Sequence, residues 1–333
     1  MRKTRVPVLL LMVPFLVAAA AELGAQDRAL LVSGVFADSS IVGPAVRFST
    51  KDSKGGEWLL TLLGSSLDAQ FVKHRSARRA WIVSADSTPV NAHLSNRIYV
   101  EGERAHELEY EAASHRLRAG MRFTPNDSST TDIQFVGLLE EITDIEDATV
   151  RNFWEGPFYG IDASHTYKKF SSESPLVAAF TGFLVNVRAE LFGGPETWSR
   201  LTVSQRSGVQ VGTIHLRQSV LVMGSRNLNV VSRSLVGGSW DVLGENALYG
   251  HRYGEYRVAR GVVANAGADY GLPRNWRAGI RASYLNSDIA DEYGSAVNVS
   301  KIWRTFGVNF GVGFAESRDP VVYFALVAPL YAR

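Results

Sequence analysis

The sequence has no cysteine among its 333 residues. This absence excludes a lipidated cysteine, a disulfide framework and a metal site built from thiolates. A basic tract of the kind that nucleic acid requires is also missing, because arginine and lysine are scattered and the formal charge is only +2. The 7 histidines are dispersed, without a pair at the spacing of metal ligands. We therefore expect no metal, no cofactor and no nucleic-acid partner.

Long apolar runs are missing too, except at the beginning of the chain. Three basic residues within the first five precede the apolar stretch 8–18, which is the pattern of an export signal. We place its cleavage near Ala25, with the run 18–21 as the alternative. No later stretch reaches the roughly 18 apolar residues of a membrane helix. The sequence predicts a signal peptide over residues 1–25 and a single exported domain over residues 26–333, which leaves no room for a separate module before the first strand.

The exported part consists largely of segments with alternating polarity. Over residues 306–314 the even positions are phenylalanine or valine and the odd positions are glycine or asparagine. Over 276–284 and 116–123 the apolar residues alternate with positions that include several arginines. Such alternation is typical of a β-strand with one apolar face. Because a soluble core would have to desolvate the arginines, we expect the apolar face to meet lipid and the arginines to line a polar lumen. A soluble β-protein that buries the apolar face is the alternative.

The pattern predicts an all-β fold: a transmembrane antiparallel β-barrel of about 16 strands, with about 14 or 18 as alternatives. The expected strands lie near residues 28–37, 41–51, 56–66, 68–75, 78–86, 94–102, 105–112, 114–124, 131–142, 157–170, 176–192, 197–207, 209–223, 227–239, 256–271, 274–286, 295–315 (in one or two pieces) and 319–331. Aromatic residues near the strand ends are expected to form two girdles at the membrane surfaces. The members of these girdles would be Trp58, Trp81, Trp154, Trp198, Trp240, Trp276, Trp303 and Tyr331.

One stretch differs from these alternating segments. Residues 243–257 read Leu-Gly-Glu-Asn-Ala-Leu-Tyr-Gly-His-Arg-Tyr-Gly-Glu-Tyr-Arg, a loop rich in glycine and aromatic residues. It resembles the lid-loop signature of the bacterial surface antigen family, the BamA/TamA-like outer-membrane barrels, which typically read Leu-Gly-Gly-x-x-x-Leu-Arg-Gly-Tyr-x-x-Gly-x-Tyr/Phe-Arg. Residues 265–273, Asn-Ala-Gly-Ala-Asp-Tyr-Gly-Leu-Pro, are similar to the family's Asn-x-Glu-x-Arg-Tyr-x-Leu-Pro. Residues 158–162 resemble its strand start Phe-Tyr-Gly-Ile-Gly.

The resemblance implies a lid, an inward-folded loop that closes the lumen. Its residues here would be Leu248, Tyr249, Gly250, His251, Arg252, Tyr253 and Gly254. The glycines allow sharp turns, and the aromatic side chains supply packing area. Two positions depart from the family, since its lid arginine is Tyr249 here and the acid of the following strand is Gly267. We expect Arg252 and Asp269 to form a substitute pair inside the lumen, with Asn265 on the same strand face as a second candidate partner.

The resemblance also implies a function in the bacterial outer membrane, without catalysis: the insertion, translocation or transport of a protein or lipid client among outer-membrane lipids. A passive porin-like diffusion channel is the first alternative.

A lipid hydrolase of the outer membrane is the second alternative. Asp162, Ser164 and His165 are the candidate nucleophile group. Ser164 and His165 are adjacent on a predicted strand, so they face opposite sides and cannot form a nucleophile–base pair. His115 and His215 also lie within predicted strands, and the sequence does not identify their neighbours. The acidic run 140–147 is expected to be a solvated loop, with binding of divalent cations as the alternative.

Overall fold

The structure is a computed structural model. It describes residues 27–37, 40–51, 55–63, 66–88, 99–100, 103–104, 110–145, 154–174, 179–228, 232–238, 246–252, 254–303, 307–316 and 318–332. Within these ranges, no helix is long and apolar enough to cross a membrane.

Sixteen strands of the described chain form one closed antiparallel barrel. They are β1 (Asp27–Ala37), β2 (Ser40–Lys51), β3 (Gly56–Leu63), β4 (Ser66–Ser76), β5 (Arg79–Thr88), β8 (Tyr110–Asn126), β9 (Ser129–Ile145), β10 (Gly156–Ser174), β11 (Ala179–Gly193), β12 (Trp198–Val211), β13 (Ile214–Arg226), β16 (Gly261–Leu272), β17 (Trp276–Ser287), β18 (Asp291–Ile302), β19 (Gly307–Ala315) and β20 (Val321–Ala332). Two small hairpins lie in the connections after β5 and β13, and they are formed by β6 (Tyr99–Val100) with β7 (Glu103–Arg104) and by β14 (Ser234–Val236) with β15 (Tyr256–Val258).

The barrel closes between its first and last strands. β1 pairs with β20 in one unbroken register, from Arg28 opposite Ala332 to Ala37 opposite Tyr323. The two rims differ in their connections. One rim has short turns such as 127–128 and 212–213, and the other has the long connections 89–109 and 227–260. Short turns on one side and long loops on the other are the arrangement of outer-membrane barrels.

Most predicted strands coincide with observed ones, but three of them are not separate strands of the barrel wall, although residues 110–112 of one form the start of β8. Residues 94–102 and 105–112 are not two wall strands, because β5 pairs directly with β8. Residues 227–239 are not one either, because β13 pairs directly with β16. Leu228 and Val236 in that stretch are buried apolar residues. An apolar residue that packs inside the lumen cannot be distinguished by pattern from one that faces lipid.

The two faces of the wall have opposite character. Buried and exposed positions alternate along β5 and β18. On the outer face, Phe135 is 74% exposed and Ile280 is 63% exposed. Their neighbours Gln134 and Arg281, which point inward, are buried. A soluble protein would bury the phenylalanine and expose the arginine, so the wall confirms the predicted transmembrane barrel.

The described tryptophans form one outer-face group and not two girdles, because Trp154 and Trp198 pack in a buried cluster. One group lies on the outer face near the short-turn rim, between 39% and 52% exposed, and consists of Trp58, Trp81, Trp276 and Trp303. Trp198, at the opposite rim, is only 1% exposed and stacks on Phe192 with ring centroids 4.2 Å apart. Trp154 packs against the same buried cluster. Trp240 and the side chain of Tyr331 lie outside the described residues. Parity along the strand, and not nearness to its end, decides which way an aromatic side chain faces.

Candidate functional site

The connection from β13 to β16 spans residues 227–260, and its described part contacts the inner face of the barrel. Leu248 packs in a buried cluster with Val263 and Leu285, which are on the inner face of β16 and β17. Ser232 donates a hydrogen bond to the carboxylate of Glu140 on β9. Strands β9 and β16 are far apart in the barrel order, so a connection that contacts both runs across the lumen. We call residues 248–254 the tip segment of this connection.

Local hydrogen bonds fold the tip segment back on itself. Gly238 and Leu248 form an isolated antiparallel bridge. The N–H of His251 donates to the carbonyl of Leu248 over 3.4 Å. Gly250 and Gly254 have φ angles of +79° and +65°, in the left-handed region that glycine adopts without strain. The glycines of the motif therefore make the sharp turns that the sequence predicts for them.

Three backbone hydrogen bonds join the tip segment to the inner wall. The N–H of Tyr249 donates to the hydroxyl of Ser283 over 2.9 Å. The N–H of Gly250 donates to the hydroxyl of Tyr323 over 2.7 Å, and this hydroxyl donates to the carbonyl of His251 over 3.2 Å. Tyr249 is 3% exposed and His251 is fully buried. The backbone of the tip segment is thus satisfied by side chains of β17 and β20.

Glycines of β18 and β19 make room for this close approach. A Cβ atom on Gly294 would collide with the carbonyl oxygen of Tyr249. A Cβ atom on Gly313 would lie 2.5 Å from the backbone nitrogen of Gly250 and 2.6 Å from the ring of Tyr323. Because these two positions have no side chain, the backbone of the tip segment can contact the backbone of the wall there.

An apolar cluster packs the connection, including Leu248 of the tip segment, against β13, β16 and β17. Its buried members are Met223, Val236, Leu248, Val258, Val263 and Leu285. Burial of one leucine side chain contributes on the order of 2 kcal/mol. The connection is therefore attached by its own small core as well as by hydrogen bonds.

A group of five polar side chains, which we call the latch, ties the tip segment to the long-loop rim. The buried ring of His251 lies between two carboxylates, with Nδ1 3.7 Å from Glu255 and Nε2 4.0 Å from Glu292. Arg318, from the connection between β19 and β20, forms an ion pair with Glu255 and donates to the hydroxyl of Tyr256 over 3.0 Å. Tyr256 in turn donates to Glu292 over 2.9 Å.

Two groups of the latch, Glu255 and Arg318, shift each other's pKa toward the charged form. Burial acts to raise the pKa of Glu255, but the imidazole of His251, the N–H of Arg252 and the charge of Arg318 outweigh it and hold this pKa below its ordinary value. Burial acts to lower the pKa of Arg318, but the charge and hydrogen bond of Glu255 outweigh it and raise this pKa. The ion pair between the two groups is therefore complete at neutral pH.

The partner of Asp269 is not the predicted Arg252. The carboxylate of Asp269 accepts a hydrogen bond of 2.6 Å from Arg281 and lies 3.8 Å from Arg217. Both arginines are on strands that pair directly with β16, so they reach the carboxylate from adjacent positions on the same face. Arg252 instead donates its backbone N–H to Glu255 over 2.9 Å.

The other predicted site residues take different places. Asn265 lies directly opposite Ser283, whose hydroxyl binds the tip segment. Gly254 is buried and Arg252 is half-buried. Tyr253 lies outside the described residues. The role of the tip segment as a lid stays a prediction.

The inner wall also carries a charged cluster that the sequence did not predict. It lies on β5, β8, β10, β11 and β12. Its members are Asp86, Arg116, Arg118, Asp162, Arg188, Glu190 and Arg200. Arg188 binds Asp162 with two hydrogen bonds of 2.9 Å and 2.6 Å. Glu190 forms an ion pair with Arg200 and lies 3.1 Å from Arg188 and 3.4 Å from Arg116. Alternation indicated that these residues point inward, but it contained no information on their partners.

The charged cluster also reaches the connection that crosses the lumen. Arg200 donates to the carbonyl of Ser232 over 2.9 Å. The hydroxyl of Ser232 binds Glu140, which is fully buried. The prediction that the run 140–147 is a solvated loop is therefore wrong at Glu140, because β9 extends to Ile145 and places this carboxylate on the inner face.

The candidate catalytic residues lie on both faces of β10. Asp162 is paired with Arg188 on the inner face. His165 is exposed, and its ring lies 2.8 Å from the hydroxyl of Thr131. Ser164 has the parity of Asp162, so Ser164 and His165 face opposite sides as the sequence predicts. In the part of the chain that the structure describes, no group of three or more His, Asp or Glu side chains is arranged to hold a metal ion.

No protein-family model matches the sequence, and no curated protein matches it. The solved structures with a similar fold include one BamA and two CdiB barrels. The barrel superimposes on BamA from Haemophilus ducreyi lacking POTRA domains 1-3 with a TM-score of 0.66 and 7% identity, over 92% of this chain and 71% of that one. For CdiB from Acinetobacter baumannii the TM-score is 0.61 and the identity 11%, over 92% of this chain and 60% of that one. For CdiB from Escherichia coli the TM-score is 0.57 and the identity 13%, over 92% of this chain and 64% of that one.

The chain thus spans between 60% and 71% of the length of these three structures. At such low identities the similarity concerns the fold alone. The BamA-like barrel fold implied by the loop motif is confirmed: this chain has the barrel fold of BamA and CdiB.

Proposed function

We propose that this protein is an outer-membrane barrel that takes part in the insertion, translocation or transport of a protein or lipid client, and that the tip segment is the lid of its lumen. The outer membrane is the proposed location because the outer face is apolar, one rim has short turns, and the barrel fold is that of BamA and CdiB. The observation that supports the lid most strongly is the seat on the inner wall, where Ser283 and Tyr323 bind the backbone of the tip segment and Gly294 has no room for a side chain.

The latch supports the same proposal, since it joins the tip segment to a second connection at the long-loop rim. Arg318 belongs to the connection between β19 and β20, and it holds Glu255 at the end of the tip segment. The lid is held by this ion pair, by hydrogen bonds to the wall and by the packing of Leu248 and Tyr249. Its release would leave the hydrogen bonds between the barrel strands intact, so the lid can move without unfolding the wall.

Conductance in a planar lipid bilayer tests the lid. We expect the wild-type protein to conduct little, and we expect a variant without residues 246–255 to form a steadily open channel, because a barrel of this size otherwise encloses water. A wild-type protein that is already steadily open, with the deletion changing little, would favour the passive diffusion channel and contradict the lid.

A folding assay tests the client function. Liposomes with and without the purified protein are mixed with a urea-unfolded outer-membrane barrel protein, and its folding is followed by its resistance to protease. We expect faster folding in the liposomes that contain the protein. Equal rates, at protein densities confirmed by gel, would count against a role in protein insertion.

A further inference from the structure

Ser87 and His115 form a hydrogen-bonded pair on the outer face of the wall. The hydroxyl of Ser87 lies 2.8 Å from Nδ1 of His115, and the two residues are directly opposite each other on β5 and β8. His115 has the parity of Leu117, which is 60% exposed on the outer face, and not that of Arg116 in the charged cluster. A polar pair on a face that meets lipid is unfavourable unless it finds a polar partner there.

The pair lies at the rim where the apolar wall ends. Ser87 is the second-last residue of β5. The residues at the same height on the outer face include Leu67 and Pro157, which are the second residues of β4 and β10. This is the rim with the long connections. The acyl-ester groups of a bilayer lie in the interfacial layer between the hydrocarbon core and water. The pair is therefore at the height at which a lipid presents its ester carbonyls.

A groove of about 450 Å³ adjoins the pair on the outer face and is lined mainly by apolar side chains. Gly137 lies at its floor, and a Cβ atom added there would meet no other atom within 4 Å. The register neighbours of Gly137 on the two sides are Leu117 and Tyr159, and these are 60% and 68% exposed. The missing side chain of Gly137 thus leaves a trough between two large side chains, one residue row further into the membrane than the Ser87–His115 pair.

We propose that this groove and the Ser87–His115 pair bind one diacyl phospholipid of the membrane. If Ser87 donates its proton to Nδ1, the neutral imidazole of His115 carries its own proton on Nε2 and can donate it to an ester carbonyl. The acyl chain of that ester then lies over Gly137, between Leu117 and Tyr159. The proposal rests on the membrane location proposed above, but it does not depend on the lid.

Photo-crosslinking with two matched lipids tests the proposal. The full-length protein is placed in nanodiscs that contain a phosphatidylethanolamine with a diazirine on its acyl chain, either as the diester or as the diether, which lacks the carbonyls. Crosslinked positions are mapped by mass spectrometry. We expect the yield at Leu117 and Tyr159 to be roughly fivefold to tenfold lower for the diether, because one hydrogen bond in apolar surroundings is lost. Phe310, 49% exposed elsewhere on the outer face, serves as the reference and should not distinguish the two lipids.

Two variants separate binding from a general disturbance of the wall. His115→Phe removes the donor, and Gly137→Leu fills the groove while leaving the pair intact. We expect each to reduce the diester yield at Tyr159 to the diether level without changing the yield at Phe310. Equal yields for both lipids at Tyr159 in the wild-type protein would overturn the phospholipid site, although crosslinking at Phe310 would still support the membrane location. An absence of crosslinks at Phe310 as well would count against that location itself.

Discussion

The two sides of the lumen are built from different chemistry. Along β8 to β12 the inner face carries long charged side chains, such as Arg188 and Glu190, that pair with one another across strands. Along β16 to β20 it also has the buried pair Asp269–Arg281, but where the tip segment approaches it carries small residues, such as Gly294 and Ser283, that contact the backbone of this segment. Both sides have the same alternation in sequence, and both face away from lipid. The side chains are large and charged where the wall supplies its own partners, and small where a loop backbone must come close.

The difference predicts that the two sides have separate roles. Removing one ion from the charged cluster leaves several opposite charges without compensation, so the free energy of unfolding of the barrel should fall. Disturbing the seat or the latch should change the position of the tip segment more than the stability of the wall. The following predictions test this separation, from the largest expected effect to the smallest.

Replacement of Glu190 by glutamine should have the largest effect on stability. The carboxylate is nearly inaccessible and contacts Arg116, Arg188 and Arg200, so its loss leaves three guanidinium groups with too little negative charge. We expect the free energy of unfolding to fall by about 3 kcal/mol, as measured by urea unfolding in lipid vesicles. Glu57→Gln is the control, because Glu57 pairs with Lys51 on the surface and should contribute at most about 1 kcal/mol. Similar losses in the two variants would mean that the charged cluster contributes no more to stability than a surface ion pair.

Gly294→Val should displace the tip segment. Any Cβ at this position collides with the carbonyl of Tyr249, and overpacking of this kind typically costs about 2 kcal/mol. We expect this cost to be relieved by movement of the loop, so conductance should rise several-fold while the barrel stays folded. The matched control is Gly224→Val, since a Cβ there meets nothing within 4 Å. A closed channel in the Gly294 variant would show that the tip segment does not control the opening.

Glu255→Gln should loosen the latch. The substitution removes the ion pair with Arg318 and weakens the hydrogen bond from Arg252, at a cost of about 1.5 kcal/mol for a charged hydrogen bond. We expect faster hydrogen exchange of the amides of Tyr249 and Gly250, which are bonded to the wall, and unchanged exchange in β8 to β12. In a double-mutant cycle with Arg318→Gln, the two losses should be less than additive. Full additivity would indicate that the ion pair contributes nothing to the lid.

Acidification should weaken the same latch. The pKa of Glu255 is lower in the folded protein than its ordinary value of 4.5, so the stabilisation is complete above that value and is lost as the pH falls through the lowered pKa. We expect the amide exchange of Gly250, corrected for its intrinsic pH dependence, to be constant from about pH 7 to pH 5 and to show increased opening only below about pH 4. Glu255→Gln should lack this acid step. A step of the same size in the variant would assign it to other carboxylates.

Much of the architecture could be predicted because alternation is a local property. Phe310 and Ile280 face outward and Arg281 inward, as the pattern indicates, and the number of barrel strands agrees with the predicted value. The motif also located the segment that crosses the lumen. The errors fall where an apolar or aromatic residue packs inside the lumen, as Trp198 and Val236 do, since the pattern contains no information about which surface will cover such a residue.

The sequence by itself determined which face of each strand is apolar, because successive side chains of a β-strand point to opposite sides whatever the strand pairs with. It also determined where the backbone turns sharply, since glycine alone adopts the left-handed region freely. The tertiary structure decided the partners. Asp269 binds Arg281 and not Arg252, Glu190 contacts arginines on three strands, and Ser87 meets His115 on the outer face. Most of these contacts depend on the register between two paired strands, which the sequence of one strand does not contain. The contact of Glu190 with Arg116, 74 residues away, also requires that β8 and β11 face the same lumen, and this arises only when the strands between them have paired.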